Sequence, residues 1–400
     1  MNKSIRYACI FVLGSMTNLG SQNAMAAPFV PSDESQILEK LQTTPNNPAT
    51  RELRHKRAQL LVQPDNLPLA VQVARRYIGQ ARAEADPRYL GYAQGVLAPW
   101  WKMERPPSQV LVLRAIINQS NHNFKDALAD LSLVLQREPN NAQAWLTRAS
   151  IFRVVGSYQK ASHDCLKLLR LTNEIISANC ISGVAGQNGK LLESYNLLLG
   201  VFKKSPATEL SPDEKLWVLI DLAEMAARAG RKQAAETHYQ AALALNIQDS
   251  YLLGAYSDFL LDQGRPEEVI SLLKDKVRAD GLLLRLALAE QQLNLPSLPT
   301  HVAALGARFE ASRLRGDIVH RREEARFTLV LLKNPQLALK LAQENWMVQR
   351  ELWDARLVLE AAIAAQRYSE ARVVLAWLAE NHLEDIQIAR HVQLLNSVTL

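Results

Sequence analysis

The chain has 400 residues, of which 48 % are hydrophobic and 6 % aromatic, and its formal net charge is +6. The hydrophobic share is enough for a continuous core and excludes wholesale disorder. The charge is weak for this length, and no run of Lys and Arg is interleaved with aromatic residues, which argues against a nucleic-acid-binding protein. Leu, Ala, Gln, Arg and Glu dominate, and this balance favours helices.

The first residues have the pattern of an export signal. Lys3 and Arg6 precede the apolar segment Tyr7–Leu13, and small residues then stand at the two positions that a signal peptidase reads. The sequence therefore predicts a Sec-type signal peptide over residues 1–26, cleaved before Ala27, and a periplasmic or secreted protein; an uncleaved anchor is the alternative. Beyond this segment no apolar stretch approaches the roughly 18 residues that a membrane span needs.

Residues 27–107 are predicted to form an N-terminal helical cap. Ser35–Leu61 and Leu67–Ala83 have helical spacing, and Pro-Asn clusters interrupt them. Trp100 and Trp101 then mark an irregular connection. A capping half is expected here because the terminal unit of a repeat array must cover an open apolar face.

Two consecutive units of 34 residues follow, Ser108–Asn141 and Ala142–Ile175. The first carries Leu111, Ala115, Phe124, Ala127 and Pro139, and the second carries Trp145, Ala149, Gly156, Tyr158 and Ala161. Taken together, these residues resemble the tetratricopeptide repeat family. In that family two antiparallel helices pack through small residues, and a glycine ends the first helix.

The resemblance implies an all-α fold, a right-handed superhelical solenoid of antiparallel helix pairs. It covers residues 108–281 well, where later units keep Gly189, Gly230 and Gly264 at the turn. Residues 282–400 are predicted to be degenerate C-terminal helical repeats. No alternating strand pattern is present in the sequence.

The family resemblance also implies a binding surface, because positions 2, 5, 9, 12 and 13 of the first helices face a concave groove in that family. Those positions correspond here to Gln109, Gln119, Gln143, Arg153, Asn179, Gln187, Trp217, Glu224, Arg228, Tyr251, Asp258 and Asp262. This polar set with two aromatics suits an extended protein or peptide ligand; a merely solvated concave face is the alternative. The groove lysines that bind a C-terminal carboxylate in some members are missing.

Two cysteines, Cys165 and Cys180, remain after the predicted cleavage. In the repeat frame Cys165 lies on the second helix of one unit, and Cys180 lies on the first helix of the next, nearly opposite across a turn near Asn173. An oxidising compartment then predicts a disulfide between them. Two small buried apolar residues are the alternative.

No pattern of catalytic or metal-binding residues is present, so an enzyme, a metal site or a cofactor is not expected. The eight histidines are scattered and form no zinc-binding pair on a helix face. Gly183, Gly186 and Gly189 have the wrong spacing for a phosphate-binding loop. Glu193 superficially resembles the catalytic glutamate of lytic transglycosylases, which keeps a cell-wall glycan enzyme as the alternative function.

The sequence thus favours a non-catalytic scaffold or adaptor of the cell envelope that binds a protein in its groove. A further candidate surface is the Arg-rich stretch Arg308–Arg326, which as a helix could contact anionic lipid or an acidic protein. A solvated helix face with alternating charges is the other interpretation of that stretch, and the one that we favour.

Overall fold

The computed structural model describes residues 33, 48–206, 208–317 and 319–398. The predicted signal peptide, residues 1–26, lies outside these ranges, and the predicted cap is described mainly from residue 48 onward. The chain divides into two units, Met1–Arg51 and Glu52–Leu400. Everything that follows concerns the second unit and the helix that leads into it.

The described residues form 21 α-helices and one 3₁₀ turn, Tyr368–Ala371, and they contain no strand. The helices are α1 Pro48–Val62, α2 Leu67–Glu84, α3 Arg88–Val96, α4 Ala98–Trp101, α5 Ser108–Ser120, α6 Phe124–Arg137, α7 Ala142–Val154, α8 Tyr158–Leu168, α9 Glu174–Ala185, α10 Leu191–Lys204, α11 Pro212–Arg228, α12 Lys232–Leu243, α13 Ser250–Asp262, α14 Pro266–Leu273, α15 Asp280–Leu293, α16 Leu298–Leu314, α17 Arg321–Val330, α18 Pro335–Trp346, α19 Leu352–Ala364, α20 Arg372–Glu380 and α21 Ile386–Val398. The predicted all-α fold is confirmed. None of the described helices is both long and apolar enough to cross a bilayer.

Successive helices pack as pairs from α5/α6 through α17/α18. Local sequence starts the first helix of several pairs, because a side chain at the N-cap accepts a backbone N–H that the helix itself leaves without a partner. Asn141, Asn173 and Asp249 do this for α7, α9 and α13. Ser211 and Glu214 form a reciprocal capping box at the start of α11. The pairing predicted from the repeats is therefore supported by capping at the helix ends.

The core runs along the stack as three clusters of buried apolar side chains. Small residues lie where the two helices of a pair meet: Ala115, Ala127 and Ala161 are 0 % exposed, and Ala149 is 1 % exposed. The third cluster joins residues of α7–α9 to residues of α17–α21. The C-terminal quarter thus shares a core with a repeat far earlier in the sequence.

A disulfide joins two adjacent repeats. Cys165 on α8 and Cys180 on α9 are bonded, with their Cα atoms 5.5 Å apart. Both residues are buried, at 0 % and 7 % exposure. The bond therefore reinforces a helix–helix contact inside the core rather than a surface loop.

Contacts between distant segments close the stack on itself. Ser250 Oγ donates a hydrogen bond of 2.8 Å to the Ala83 carbonyl, which connects α13 to α2. The Arg350 N–H donates to the carbonyl of Val154, the last residue of α7, at 2.7 Å. The C-terminal helices also reach α13, as the site geometry below shows. Three parts of the chain consequently surround one central space.

The segment before α21 and the first residue of α21 lie against the turns of two repeats, and glycine makes this approach possible. Gly189 and Gly230 have φ values of +72° and +71°, the left-handed conformation that glycine adopts without strain. A Cβ at Gly189 would lie 2.9 Å from His382 Cβ, and one at Gly230 would lie 3.1 Å from Ile386 Cδ1. These turn glycines, which the repeat pattern places at helix ends, also make room for the C-terminal segment.

Candidate functional site

A chamber of about 650 Å³ occupies the central space. Its walls come from α2, from the first helices α7, α9, α11, α13 and α15, and from α17, α19 and α21 of the C-terminal part. This volume falls within the roughly 300 to 1,000 Å³ of typical ligand pockets. The charged residues of its lining are Arg82, Arg153, Asp221, Glu224, Arg228, Asp249, Asp258, Asp262, Arg285, Arg322, Glu323, Glu351, Arg356 and Asp385.

Seven of the residues that the sequence predicts for partner binding line this chamber. They are Arg153, Gln187, Glu224, Arg228, Tyr251, Asp258 and Asp262. They come from α7, the turn after α9, α11 and α13, and the fold brings them around one space. Their role in binding a partner stays a prediction.

The other five predicted residues lie outside the chamber lining. Gln109 and Gln143 are exposed, and Gln119 donates a hydrogen bond to Ser150 on the neighbouring first helix. Trp217 is half-buried near the start of α11. Asn179 is completely buried and donates from Nδ2 to Asp221 Oδ2 at 2.8 Å, so it supports a chamber residue instead of facing the chamber itself.

Two carboxyl groups one helical turn apart, Asp221 and Glu224, project from α11 into the chamber. Tyr251 donates from its hydroxyl to Glu224 Oε1 at 2.8 Å. Burial, and then the nearby carboxylate of Asp221, raises the pKa of Glu224 to about 7. Burial also raises the pKa of Asp221, although Arg153 and the amide of Asn179 oppose it. This pair is therefore an enclosed acidic site whose charge is poorly compensated.

Arg153 faces these carboxyl groups from α7. Burial alone would lower the pKa of Arg153, but Asp221, Tyr251, Glu351 and Glu224 raise it. Within the described ranges its guanidinium makes no hydrogen bond and no ion pair as close as 4.0 Å. A Cβ on Gly183 would lie 2.7 Å from Arg153 Nη1, so the glycine leaves the space that the guanidinium occupies. This glycine of α9 therefore accommodates an arginine.

Two residues predicted to face the groove form ion pairs with arginines of the same chain. Asp258 accepts from Arg285 Nη2 and from Arg326 Nη1, each at 2.6 Å. Asp262 accepts from the Arg356 guanidinium at 2.6 and 2.7 Å. Burial would raise the pKa of Asp258, but the two arginines hold it below its ordinary value. These ion pairs fasten α17 and α19 across the groove, which leaves the chamber as its remaining space.

Arg228 also has partners within the chain. Its Nη2 donates to the Gly186 carbonyl at 2.6 Å and to the Glu384 carbonyl at 3.1 Å. Glu384 in turn accepts from the Leu191 N–H at 2.7 Å. Arg228 thus holds the segment before α21 against α9 and α10, which is a structural task that the sequence alone did not indicate.

The expectation of a single Arg-rich helix over Arg308–Arg326 is wrong. The stretch is divided between α16 and α17, because Gly316 (φ +74°) ends the first of them. Arg308 donates to Asp280 at 2.9 Å, and Arg322 donates to Asp354 at 2.6 Å. These two arginines hold helices together, and the described residues of the stretch belong to two helices instead of one continuous helix face.

The chamber residues that come from distant segments could not be identified from the repeat pattern. Arg82 reaches the chamber from α2, and Trp353 reaches it from α19, where Arg326 and Arg356 lie 4.6 and 4.4 Å from its ring centre. No repeat position identifies them, since they face the groove only after the stack closes. Asp221 could have been found, because it lies one turn before Glu224 on the same face of α11.

The alternative catalytic residue, Glu193, is exposed on α10 and does not line the chamber. Among the described residues, no group of three or more His, Cys, Asp or Glu side chains is arranged to hold a metal ion. His301 instead pairs with Glu290 at 2.8 Å, and His238 contacts the Tyr195 hydroxyl at 3.0 Å. These two histidines are therefore engaged in contacts within the chain.

The helix pairs meet through buried alanines, and a left-handed glycine, Gly156 (φ +75°), ends the first helix of a pair. This is a tetratricopeptide-like fold. The sequence matches no protein-family model and no curated protein.

Several solved structures have a similar architecture. Cut9 in the APC/C hetero-tetramer Cut9-Hcn1 is 16 % identical, with 78 % of this chain and 52 % of that chain covered and a TM-score of 0.39, so this chain spans about half of its length. Human IFIT1, solved as a dimer with m7Gppp-AAAA, is 13 % identical, with 87 % of this chain and 85 % of that chain covered and a TM-score of 0.43. Yeast Tom70 is 10 % identical, with 88 % of this chain and 85 % of that chain covered and a TM-score of 0.42.

The raised pKa of Glu224 predicts a pH-dependent stability for this tetratricopeptide-like chain. Between its ordinary value of 4.5 and about 7, the carboxyl group ionises in the unfolded chain but not in the folded one. The free energy of unfolding should therefore fall as the pH rises through this window and level off above it. Because the chamber admits water, we expect Glu224→Gln to be more stable than the wild type by about 2 kcal/mol at pH 8.

Urea unfolding at several pH values measures this difference. Gln keeps an oxygen that can accept from Tyr251, so the substitution removes the charge and little else. Glu267→Gln on the exposed face of α14 is the matched control, and its free energy of unfolding should stay within about 1 kcal/mol of the wild type at each pH. If the free energies of unfolding of Glu224→Gln and the wild type differ by the same amount from pH 5 to pH 8, the raised pKa of Glu224 is contradicted.

Proposed function

We propose that this chain is a non-catalytic protein-binding scaffold that holds a short segment of a partner polypeptide in the central chamber. The observation that carries this proposal is the chamber itself, about 650 Å³ lined by polar groups of three separate chain regions. Arg153 offers donors, and Asp221 and Glu224 offer acceptors, that the described residues leave without a full set of partners. Such groups fit the N–H and C=O of an extended peptide.

The size of the chamber limits the ligand to a short segment. Ion pairs to Asp258 and Asp262 seat the C-terminal helices in the groove, so a long peptide or a helix could not lie along it without displacing them. Tyr251, which is 61 % exposed and lines the chamber, supplies an aromatic surface for such a segment. Aromatic and arginine side chains of this kind commonly dominate the energy of protein recognition.

We also propose that the protein works in the periplasm or outside the cell. The signal peptide that the sequence predicts over residues 1–26 supports this location. A buried disulfide between adjacent repeats supports an oxidising compartment as well. In that setting the scaffold would hold a partner of the cell envelope.

A displayed library of random peptides, selected on the folded protein, tests the binding role. Peptides enriched on the wild type should lose at least about tenfold in affinity with Arg153→Ala or with Tyr251→Ala. Arg170→Ala, which removes an exposed arginine at the end of α8, is the matched control and should bind as the wild type does.

Three outcomes would overturn the proposal. Enrichment of no peptide would remove the binding role. Peptides that are lost with Gln109→Ala/Gln143→Ala but retained with Arg153→Ala would place binding on the exposed first-helix surface instead of in the chamber. Turnover of cell-wall muropeptides by the purified protein, lost in Glu224→Gln or Glu193→Gln, would show the alternative glycan-active enzyme.

A further inference from the structure

The charges that line the chamber are unevenly paired. Four carboxylates on its wall have an arginine of the same chain within 4.0 Å, namely Asp258, Asp262, Glu351 and Asp385. The other four have none within the part of the chain that the structure describes. Asp249 caps α13 and Glu323 lies in the first turn of α17. Asp221 and Glu224 lie inside α11, and each accepts one hydrogen bond, from Asn179 and from Tyr251 respectively. Two neighbouring carboxylates on one face of α11 are thus left facing the chamber without a cation.

The side chain of Asn179, which is hydrogen-bonded to Asp221, has an oxygen that accepts from no donor. Asn179 is 0 % exposed and donates from Nδ2 to Asp221, but its own Oδ1 has no hydrogen-bond partner. Because both atoms belong to one amide, this unpaired acceptor lies beside the Asp221 carboxylate. A buried acceptor without a partner is costly. The region around Asp221 is therefore rich in acceptors and short of donors.

Arg153 is the nearby cation, yet it is not bound to either carboxylate. Its guanidinium occupies the notch left by Gly183 and makes no ion pair within 4.0 Å among the described residues. A glycine in the middle of a helix costs about 0.5 to 1 kcal/mol relative to alanine. Despite this cost, the notch accommodates a guanidinium near an acceptor pair with which it forms no ion pair as close as 4.0 Å.

These observations discriminate between ligand groups. A carboxylate placed on Arg153 would lie beside Asp221 and Glu224 and be repelled by both. A neutral carbonyl on Arg153 meets no such repulsion, and a cation between the two carboxylates is attracted. Tyr251, bonded to Glu224 and 61 % exposed, offers its ring to an aliphatic stem or to the cation itself.

We propose that the chamber binds a basic side chain of the partner polypeptide, a Lys or an Arg, with its cation between Asp221 and Glu224. A main-chain carbonyl of the same segment accepts from Arg153. This inference rests on the proposed function and specifies its ligand as a basic segment. It also assigns a role to two carboxylates one turn apart on α11, Asp221 and Glu224, that have no arginine within 4.0 Å among the described residues.

The test is a double-mutant cycle between the protein and peptides enriched from the random library. The inference predicts that these peptides share a Lys or an Arg, and that replacing it with norleucine weakens binding to the wild type about ten- to a hundredfold. With Glu224→Gln the basic peptide should lose a similar factor, whereas the norleucine peptide should bind Glu224→Gln and the wild type equally. Asp221→Asn should act in the same way, and Glu267→Gln should change nothing.

The outcomes separate this inference from the function that it extends. Peptides that bind in the chamber, as judged by Arg153→Ala, but that lack a basic residue or show no coupling to Glu224 would overturn the inference and leave the scaffold role intact. Failure to enrich any peptide would overturn both. Circular dichroism of each variant at the assay temperature confirms that the helices are retained, so that lost binding reports the chamber.

Discussion

Replacing Asp354 with alanine is expected to lower the free energy of unfolding of the Glu52–Leu400 unit by about 3 to 5 kcal/mol. Asp354 is 1 % exposed and accepts from Arg322 Nε at 2.6 Å and from Asn345 Nδ2 at 2.7 Å. It also accepts from the Glu351 N–H at 2.8 Å, which caps the start of α19. Its loss leaves a buried guanidinium with one carboxylate fewer and a helix end without its cap, and urea unfolding measures the cost.

Two comparisons establish that the effect comes from the buried network. Asp317→Ala removes an exposed partner of Arg315 and should cost no more than about 1 kcal/mol. The double variant Asp354→Ala/Arg322→Ala should lose much less than the sum of the two single losses, because each single change strands the other charge. A loss below about 1 kcal/mol for Asp354→Ala would contradict the structure of this network.

Removing the disulfide is expected to be the second large change. Cys165 and Cys180 are 15 residues apart in sequence, and closing a loop of this length in the unfolded chain stabilises the fold by about 3 kcal/mol. The variant Cys165→Ala/Cys180→Ala should show this loss in urea unfolding. Amide hydrogen exchange should quicken most in α8 and α9, because each repeat of a solenoid contacts mainly its neighbours.

Reduction of the wild type provides the internal control. In the presence of a thiol reductant that opens the bond, the wild type should unfold at nearly the same urea concentration as the alanine variant under the same conditions. Equal stability of the oxidised wild type and the variant would show that the bond does not constrain the unfolded chain. Faster exchange in α15 than in α8 would also disagree with a local effect.

The helix pairs could be predicted because their causes are local. Asn141 and Asn173 start α7 and α9 through bonds three residues along the chain, and Gly156 ends α7. The Cys165–Cys180 contact could be predicted for the same reason, since α8 and α9 are consecutive helices that pack together. A repeat frame captures such contacts because they involve residues close in sequence.

The groove prediction was less complete, since the family positions assume an open concave face. Glu224 and Tyr251, both predicted to face the groove, line one chamber and are hydrogen-bonded to each other. Asp258 and Asp262 were placed on the right face, but the sequence did not indicate that arginines of α17 and α19 would bind them. Repeat positions predict which face of a helix a side chain lies on. They do not predict which later segment of the chain packs over that face.

The sequence by itself determined the all-α repeat architecture, the capped helix pairs and the neighbouring positions of the two cysteines. Only the tertiary structure decided that the stack closes around a chamber, with Glu384 bound to Leu191 across 193 positions of the chain. The physical reason is that each repeat adds a small rotation to the one before it, so the meeting of distant helices depends on the sum over the whole stack. No single repeat carries that sum, and it therefore leaves no periodic pattern in the sequence.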